Sequence, residues 1–136
     1  MRSTPSKSEP KRDPGRAFEW VDDILDNIAH IRGFLRGVSP QQFERSAEKR
    51  YAVQYALLAI SEAARRLPLD MQARHRAIPW RQVEDLRNRY THEYHHVDAA
   101  MVWKTATERL SELGKAMAQE RKKSATRAAA SRSRSK

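Results

Sequence analysis

The sequence contains no cysteine, only four glycines among 136 residues, and no apolar run near the 18 or so residues that a membrane span requires. The absence of cysteine excludes a disulfide framework, a thiolate metal site and a cysteine nucleophile. The N-terminus also lacks the apolar stretch of a signal peptide. Together these features predict a cytoplasmic protein that does not enter a membrane.

Acidic residues number 17 against 27 basic residues, and the imbalance lies at the two ends of the chain. Residues 1–16 carry five basic and two acidic groups, and residues 118–136 carry seven basic groups and one acidic group. The middle of the chain is nearly balanced and long enough for one modest core. The sequence therefore predicts a helical domain over residues 17–117, a disordered, proline-rich N-terminal tail and a basic Ser/Arg/Lys-rich C-terminal tail.

No segment alternates polar and β-branched residues as a strand does, whereas four segments carry apolar residues at helical spacing. The four predicted helices cover about residues 18–35, 40–67, 80–94 and 99–117. Ser39 and Gln42 form a capping box before the second helix, and Asp98 is placed to cap the fourth. The pattern predicts an all-α fold, an antiparallel four-helix bundle with disordered basic tails.

The densest polar cluster of the chain lies within residues 86–98, LRNRYTHEYHHVD, and includes Arg87, Asn88 and His92. On an ideal helix Arg87 and His92 are about 140° apart. One straight helix therefore does not bring these two side chains to the same small group. Either the helix ends near His92 or a second subunit completes the site.

Residues 92–96, HEYHH, also match the H-E-x-x-H pattern of zinc hydrolases. The glycine and histidine that continue the pattern in one class of these enzymes are replaced by Ala99 and Val102. Asp98 is moreover expected to begin a new helix, which would end the one that must hold both ligands. We therefore expect no metal site here and interpret His95 and His96 as surface or interface histidines.

At residues 87–94 the sequence resembles the HepT-like HEPN family, the toxin half of the HepT/MntA type of toxin–antitoxin pair. The family pattern is Arg, a polar residue that is usually Asn, three variable residues, His, any residue and Tyr. Its fixed positions correspond here to Arg87, Asn88, His92 and Tyr94. The resemblance covers about residues 18–117, and within it Ser61 stands where the family commonly has glycine.

The resemblance implies a dimeric HEPN bundle with metal-independent endoribonuclease activity, without a cofactor, at a cleft between protomers. His92 suits proton transfer from an RNA 2′-hydroxyl because its ordinary pKa lies near neutrality. Arg87 suits stabilisation of the charge on phosphorus, and Asn88 can orient His92 or the phosphate. The implied protein is the toxin of a type VII-like system that cleaves cellular RNA such as tRNA or mRNA.

In such pairs an MntA-like minimal nucleotidyltransferase, the antitoxin, transfers AMP to the tyrosine of the motif, here Tyr94. The adenylate would add bulk and negative charge two residues from His92 and so oppose RNA binding. An alternative is a non-catalytic helical subunit that binds the nucleotidyltransferase and uses Arg87 and His92 only to hold nucleotide or phosphate. The basic tails either attract RNA without sequence preference or only keep the protein in solution.

Overall fold

The computed structural model describes Arg12, residues 14–92 and residues 98–134, and within these parts it contains helices and no strand. The helices are α1 (Ala17–Leu35), α2 (Pro40–Arg45), α3 (Ala47–Arg66), α4 (Leu69–Ala73), α5 (Trp80–His92), α6 (Ala99–Lys104) and α7 (Leu110–Arg134). A 3-10 turn, Pro14–Arg16, precedes α1, and a π-helical turn, Thr105–Arg109, joins α6 to α7. The predicted all-α fold is confirmed. No helix in the described ranges is long and apolar enough to cross a bilayer.

Helix α1 packs against both α3 and α7, and α3 packs in turn against α5. Trp20 near the start of α1 lies under the guanidinium of Arg66 near the end of α3. Phe34 near the end of α1 shares a groove with Ala52 near the start of α3, so the two helices are antiparallel. The predicted apolar stripe of α1 is buried at Val21, Ile24, Ile28 and Ile31.

The predicted second helix is divided at Ser46, so the prediction of one continuous helix was wrong there. Ser46 has extended backbone angles, φ −102° and ψ 102°, and its hydroxyl oxygen accepts the N–H of Lys49 at 3.1 Å. Because a serine that caps the next helix adopts non-helical angles, α3 starts at a new N-cap. The predicted capping box between Ser39 and Gln42 is present at the start of α2, and Asp98 caps α6 by accepting the N–H of Ala100.

Both ends of the chain differ in part from the predicted disorder. Pro14–Arg16 forms the 3-10 turn, and Arg12 donates a hydrogen bond of 2.8 Å to the carbonyl oxygen of Leu67. At the other end an extension of the last helix by a turn or two into the Ala-rich stretch after residue 117 was expected, and α7 continues further, to Arg134. Alanine, lysine and arginine have high helix propensity, and basic residues near a C-terminus are favoured by the helix dipole.

The segment between the second and third predicted helices, residues 69–78, contains α4 and is held by several side-chain hydrogen bonds. The indole N–H of Trp80 donates to the carbonyl oxygens of Gln72 at 3.0 Å and His75 at 3.1 Å. Glu120 of α7, only 3% exposed, accepts from Nε of Arg74 at 2.7 Å and lies 3.2 Å from Nε2 of His75. Burial alone raises the pKa of Glu120, but the hydrogen bonds and charges of Arg74 and His75 outweigh it and hold that pKa below its ordinary value.

Candidate functional site

Helix α5 carries Arg87, Asn88 and His92, and it occupies the position predicted for the third helix. Its apolar side, with Val83 and Leu86, is half-buried against the core. Arg87 and Asn88 lie on the exposed side of the same helix. His92 is the last residue of α5 that the structure describes, so where the helix ends relative to His92 stays open. Tyr94, the remaining motif position, lies outside the described residues, as do His95 and His96.

Ser61 of α3 attaches α5 to the bundle at the beginning of the motif. Its side chain is fully buried. The hydroxyl donates to the carbonyl oxygen of Glu84 at 2.9 Å and accepts the backbone N–H of Arg87 at 3.1 Å. Because both partners are backbone groups of α5, the position of that helix relative to α3 is set at this residue. A glycine at this position would have no hydroxyl to make these bonds.

The next residue, Glu62, holds the side chain of Arg87. Its Oε2 atom is shielded from solvent and lies 3.4 Å from Nε of Arg87. Its Oε1 atom accepts a hydrogen bond of 3.1 Å from Nε of Arg66. Arg66 and Arg16 each place a guanidinium 4.9 Å from the ring centre of Trp20. One carboxylate therefore joins two arginines, and a cation–π contact links this group to the start of α1.

A second anchor of α5 lies one turn before Arg87. Glu84 Oε1 accepts from Nη2 of Arg12 at 2.8 Å and from the amide of Gln72 at 3.2 Å. The same amide donates to the carbonyl oxygen of Ala64 at 3.0 Å, and Gln72 is buried. The motif helix is thus bound to the N-terminal segment, to α4 and to the end of α3. This arrangement keeps α5 in place while its outer side stays open to solvent.

Asn88 has a side-chain contact within α5 itself. Its side-chain nitrogen donates to Oδ1 of Asp85 at 3.3 Å, one turn earlier on the exposed side of α5. The prediction that Asn88 orients His92 or a phosphate stays a prediction, because the side chain of His92 is not among those described. Arg87 is 46% exposed although it is paired with Glu62. A partly exposed guanidinium can present N–H groups to a phosphate in bidentate geometry.

Sequence reasoning missed the supporting roles of Ser61, Glu62 and Glu84. One signal was available: Ser61 follows Ile60 on the apolar side of the predicted helix, and a small hydroxyl residue in such a stripe often makes a buried hydrogen bond. The contacts of Glu62 and Glu84 gave no such signal. They join residues of different helices, and helical periodicity does not say which helices meet.

The fold and the motif helix together define a class, helical bundles that carry an Arg-Asn-x3-His motif on one helix. The family model described as Ribonuclease HepT-like matches residues 24–120. A protein of Thermococcus cleftensis named "Probable ribonuclease HepT" is 33% identical over 95 residues, which are 70% of this chain and 86% of that protein. Two proteins of Methanocaldococcus jannaschii, provisionally named as RNases, are each 32% identical over 106 residues, 78% of this chain and 85% and 89% of theirs.

No solved structure matches the chain significantly. The family match covers most of the chain and all of α3 and α5. The chain therefore belongs to the HepT-like ribonuclease family, and the resemblance inferred from residues 87–94 is confirmed.

Proposed function

We propose that this protein is a metal-independent endoribonuclease that cleaves cellular RNA with Arg87 and His92. The observation that carries the proposal is the placement of Arg87, whose backbone N–H donates to the buried hydroxyl of Ser61 and whose guanidinium lies 3.4 Å from Glu62. Membership of the HepT-like ribonuclease family and relatives named as ribonucleases support it. A cation fixed before substrate arrives loses little energy to rearrangement when charge develops on phosphate.

The proposed reaction uses the nucleophile that RNA itself supplies. The 2′-oxygen attacks the adjacent phosphorus, a 2′-oxygen–phosphorus bond forms, and the bond from phosphorus to the 5′-oxygen of the next nucleotide breaks. His92 takes the proton of the 2′-hydroxyl, and the leaving 5′-oxygen gains a proton from a histidine or from water. Arg87 stabilises the negative charge on the phosphorane oxygens. The products are a 2′,3′-cyclic phosphate and a 5′-hydroxyl.

A homodimer is part of the proposal. Arg87 and His92 stand about 140° apart on an ideal helix, so they do not both face one phosphate from a straight α5. Two copies of α5 that face each other across a two-fold axis bring an arginine from one protomer near a histidine of the other. The open outer side of α5 is compatible with such a cleft between protomers.

We further propose that the protein is the toxin of a type VII-like pair. An MntA-like nucleotidyltransferase transfers AMP to Tyr94 and so inactivates the ribonuclease. The phosphate of the adenylate is negatively charged and stands two residues from His92 in sequence. It therefore competes with the RNA phosphate for Arg87.

The proposal is tested with the variants Arg87→Ala and His92→Ala, with Arg89→Ala as the matched control. Arg89 is exposed on the same helix and is a variable position of the motif. We expect both motif variants to lose RNA cleavage and growth inhibition at unchanged helix content and mass of the assembly, whereas the control keeps both. Cleavage that persists in His92→Ala would overturn the catalytic assignment. Absence of cleavage in the unmodified wild type, with retained binding to the nucleotidyltransferase, would favour the non-catalytic subunit.

A further inference from the structure

Helix α7 continues beyond the part of the chain that matches the family. The match ends at residue 120, whereas α7 reaches Arg134. Glu120 is also the last buried residue of α7 among those whose burial is described. Residues 121–133, here called the C-terminal extension, are exposed except for Ser124 and Ala130, which are half-buried. At 1.5 Å per residue the extension is a helix about 20 Å long outside the shared core.

All charged residues of the C-terminal extension are basic. Its basic residues are Arg121, Lys122, Lys123, Arg127 and Arg132, and it contains no aspartate or glutamate. Arg121 is used to dock α7, since its Nη2 atom lies 3.1 Å from Oδ2 of Asp22 and its guanidinium lies over the ring of Phe18. In the ranges that the structure describes, no carboxylate lies within ion-pair distance of the other four basic residues. Four cations are therefore available to a partner.

The distribution of these cations indicates the chemistry of that partner. Lys123 and Arg127 are one turn apart on one side of the helix, and Lys122 and Arg132 occupy other sides. The only apolar side chains of the extension are four alanines, which offer little apolar area to a protein partner. A second copy of the extension would bring like charges together, which opposes self-association at this site. The extension also has no aromatic residue on which a base could stack.

We propose that the C-terminal extension is a second RNA-binding site, which contacts phosphates of the RNA backbone and reads no base sequence. Lysine and arginine side chains that replace condensed counterions bind nucleic acid with a strong dependence on salt. The choice of RNA among polyanions rests on the proposed function. The extension holds the RNA while Arg87 and His92 act on one phosphodiester, so it lowers KM and leaves kcat unchanged.

The test compares two variants of equal net charge. In the first variant Lys122, Lys123, Arg127 and Arg132 are replaced by glutamine, which has a helix propensity close to that of lysine and arginine. In the control variant the residues replaced by glutamine are Arg36, Arg45, Arg76 and Lys104, all exposed and without an ion-pair partner among the described residues. Each variant changes the formal charge of the full chain from +10 to +6, since four cations are removed.

Binding is measured by fluorescence anisotropy with a labelled 20-nucleotide RNA that carries 2′-O-methyl groups, so that cleavage is blocked. We expect the extension variant to bind at least about tenfold more weakly. Its plot of log K against log salt should be shallower by about 0.7 for each lost phosphate contact. The control variant should stay within about twofold of the wild type. Equal binding by wild type and extension variant, or an equal loss in the control, would overturn the proposal.

Two further measurements separate this inference from the proposed function. In the first, poly-glutamate with the same number of negative charges as the RNA is added as a competitor. If it displaces the RNA at the same concentration of charge, the extension binds polyanions in general and the choice of RNA is overturned. Cleavage is then measured with unmodified RNA. Binding that depends on the extension, without any cleavage, supports this inference while the proposed function fails. Cleavage with equal KM in wild type and extension variant contradicts this inference and leaves the proposed function intact.

Discussion

The hydroxyl oxygen of Ser61 lies 3.1 Å from the backbone nitrogen of Arg87, and the same hydroxyl donates to the carbonyl oxygen of Glu84 at 2.9 Å. The first residue of the family motif is therefore attached to α3 through its backbone. Glu62, the neighbour of Ser61, reaches the guanidinium of the same arginine. Two consecutive residues of α3 thus contact both the main chain and the side chain of Arg87.

Removal of the Ser61 hydroxyl should destabilise the fold. In Ser61→Ala the two backbone groups of α5 lose a buried partner, and we expect the free energy of unfolding to fall by about 1–2 kcal/mol. Chemical denaturation measures this change. Ser111→Ala removes an exposed hydroxyl on α7 and should stay within about 0.5 kcal/mol of the wild type. Equal stability of Ser61→Ala and the wild type would contradict the role given to this contact.

Loss of the charge on Glu62 should lower the rate of RNA cleavage. Glu62→Gln keeps the shape of the side chain but holds Arg87 less firmly, because a partly exposed ion pair contributes at most about 1 kcal/mol. We expect kcat to fall about two- to fivefold at unchanged helix content. Glu48→Gln, which changes an exposed carboxylate on the same helix, should leave kcat unchanged. A Glu62→Gln enzyme with full kcat would show that Glu62 does not position Arg87.

Local sequence signals predicted much of this fold. The apolar stripe of α1, the capping box at Ser39 and the cap at Asp98 each depend on residues within one or two turns, and all three are present. The break at Ser46 was missed because the apolar periodicity continues across it. The helical C-terminal end was underestimated because composition alone favoured a solvated tail over the helix propensity of its Ala, Lys and Arg residues.

The sequence pointed to the residues of the candidate site but not to the contacts that hold α5 in place. Arg87, Asn88 and His92 stood out as a polar cluster, and the resemblance to the family motif added Tyr94. The attachment of α5 by Ser61 and Glu62 depends on a contact between residues more than 20 positions apart. Helical periodicity assigns residues to faces of a helix but does not determine which faces meet. The role of Tyr94 stays a prediction because that residue lies outside the described ranges.

The buried Glu120 should make the free energy of unfolding depend on pH in the acidic range. Its folded pKa lies below the ordinary value of 4.5, so the carboxylate stabilises the fold above that pH and this contribution is lost as pH falls through the lowered pKa. We expect Glu120→Gln to lower the free energy of unfolding by about 1–3 kcal/mol at neutral pH, since it weakens the bonds to Arg74 and His75. The difference should shrink below pH 4.5.

Thermal unfolding of both proteins between neutral pH and pH 3 measures this difference. Glu108→Gln alters an exposed carboxylate close to α7 and serves as the control, with no such dependence expected. A gap between wild type and Glu120→Gln that stays constant across this range would contradict the assigned pKa direction.

AMP transfer to Tyr94 should be visible as added mass. Incubation of the protein with its nucleotidyltransferase and ATP is expected to add multiples of AMP to the intact mass, and Tyr94→Phe should abolish the addition. Tyr55→Phe removes an exposed tyrosine of α3 and should leave modification unchanged. Modification that continues in Tyr94→Phe would place the acceptor at another residue.

The most direct test of the central claim is the analysis of the ends of the cleavage products. Wild-type protein, shown by its intact mass to carry no AMP, is incubated with mixed RNA in the presence of EDTA. His92→Ala is treated in parallel. We predict cleavage by the wild type that leaves a 2′,3′-cyclic phosphate and a 5′-hydroxyl, and no cleavage by the variant. Cleavage that requires a divalent metal, or that leaves a 3′-hydroxyl and a 5′-phosphate, would contradict the proposed mechanism.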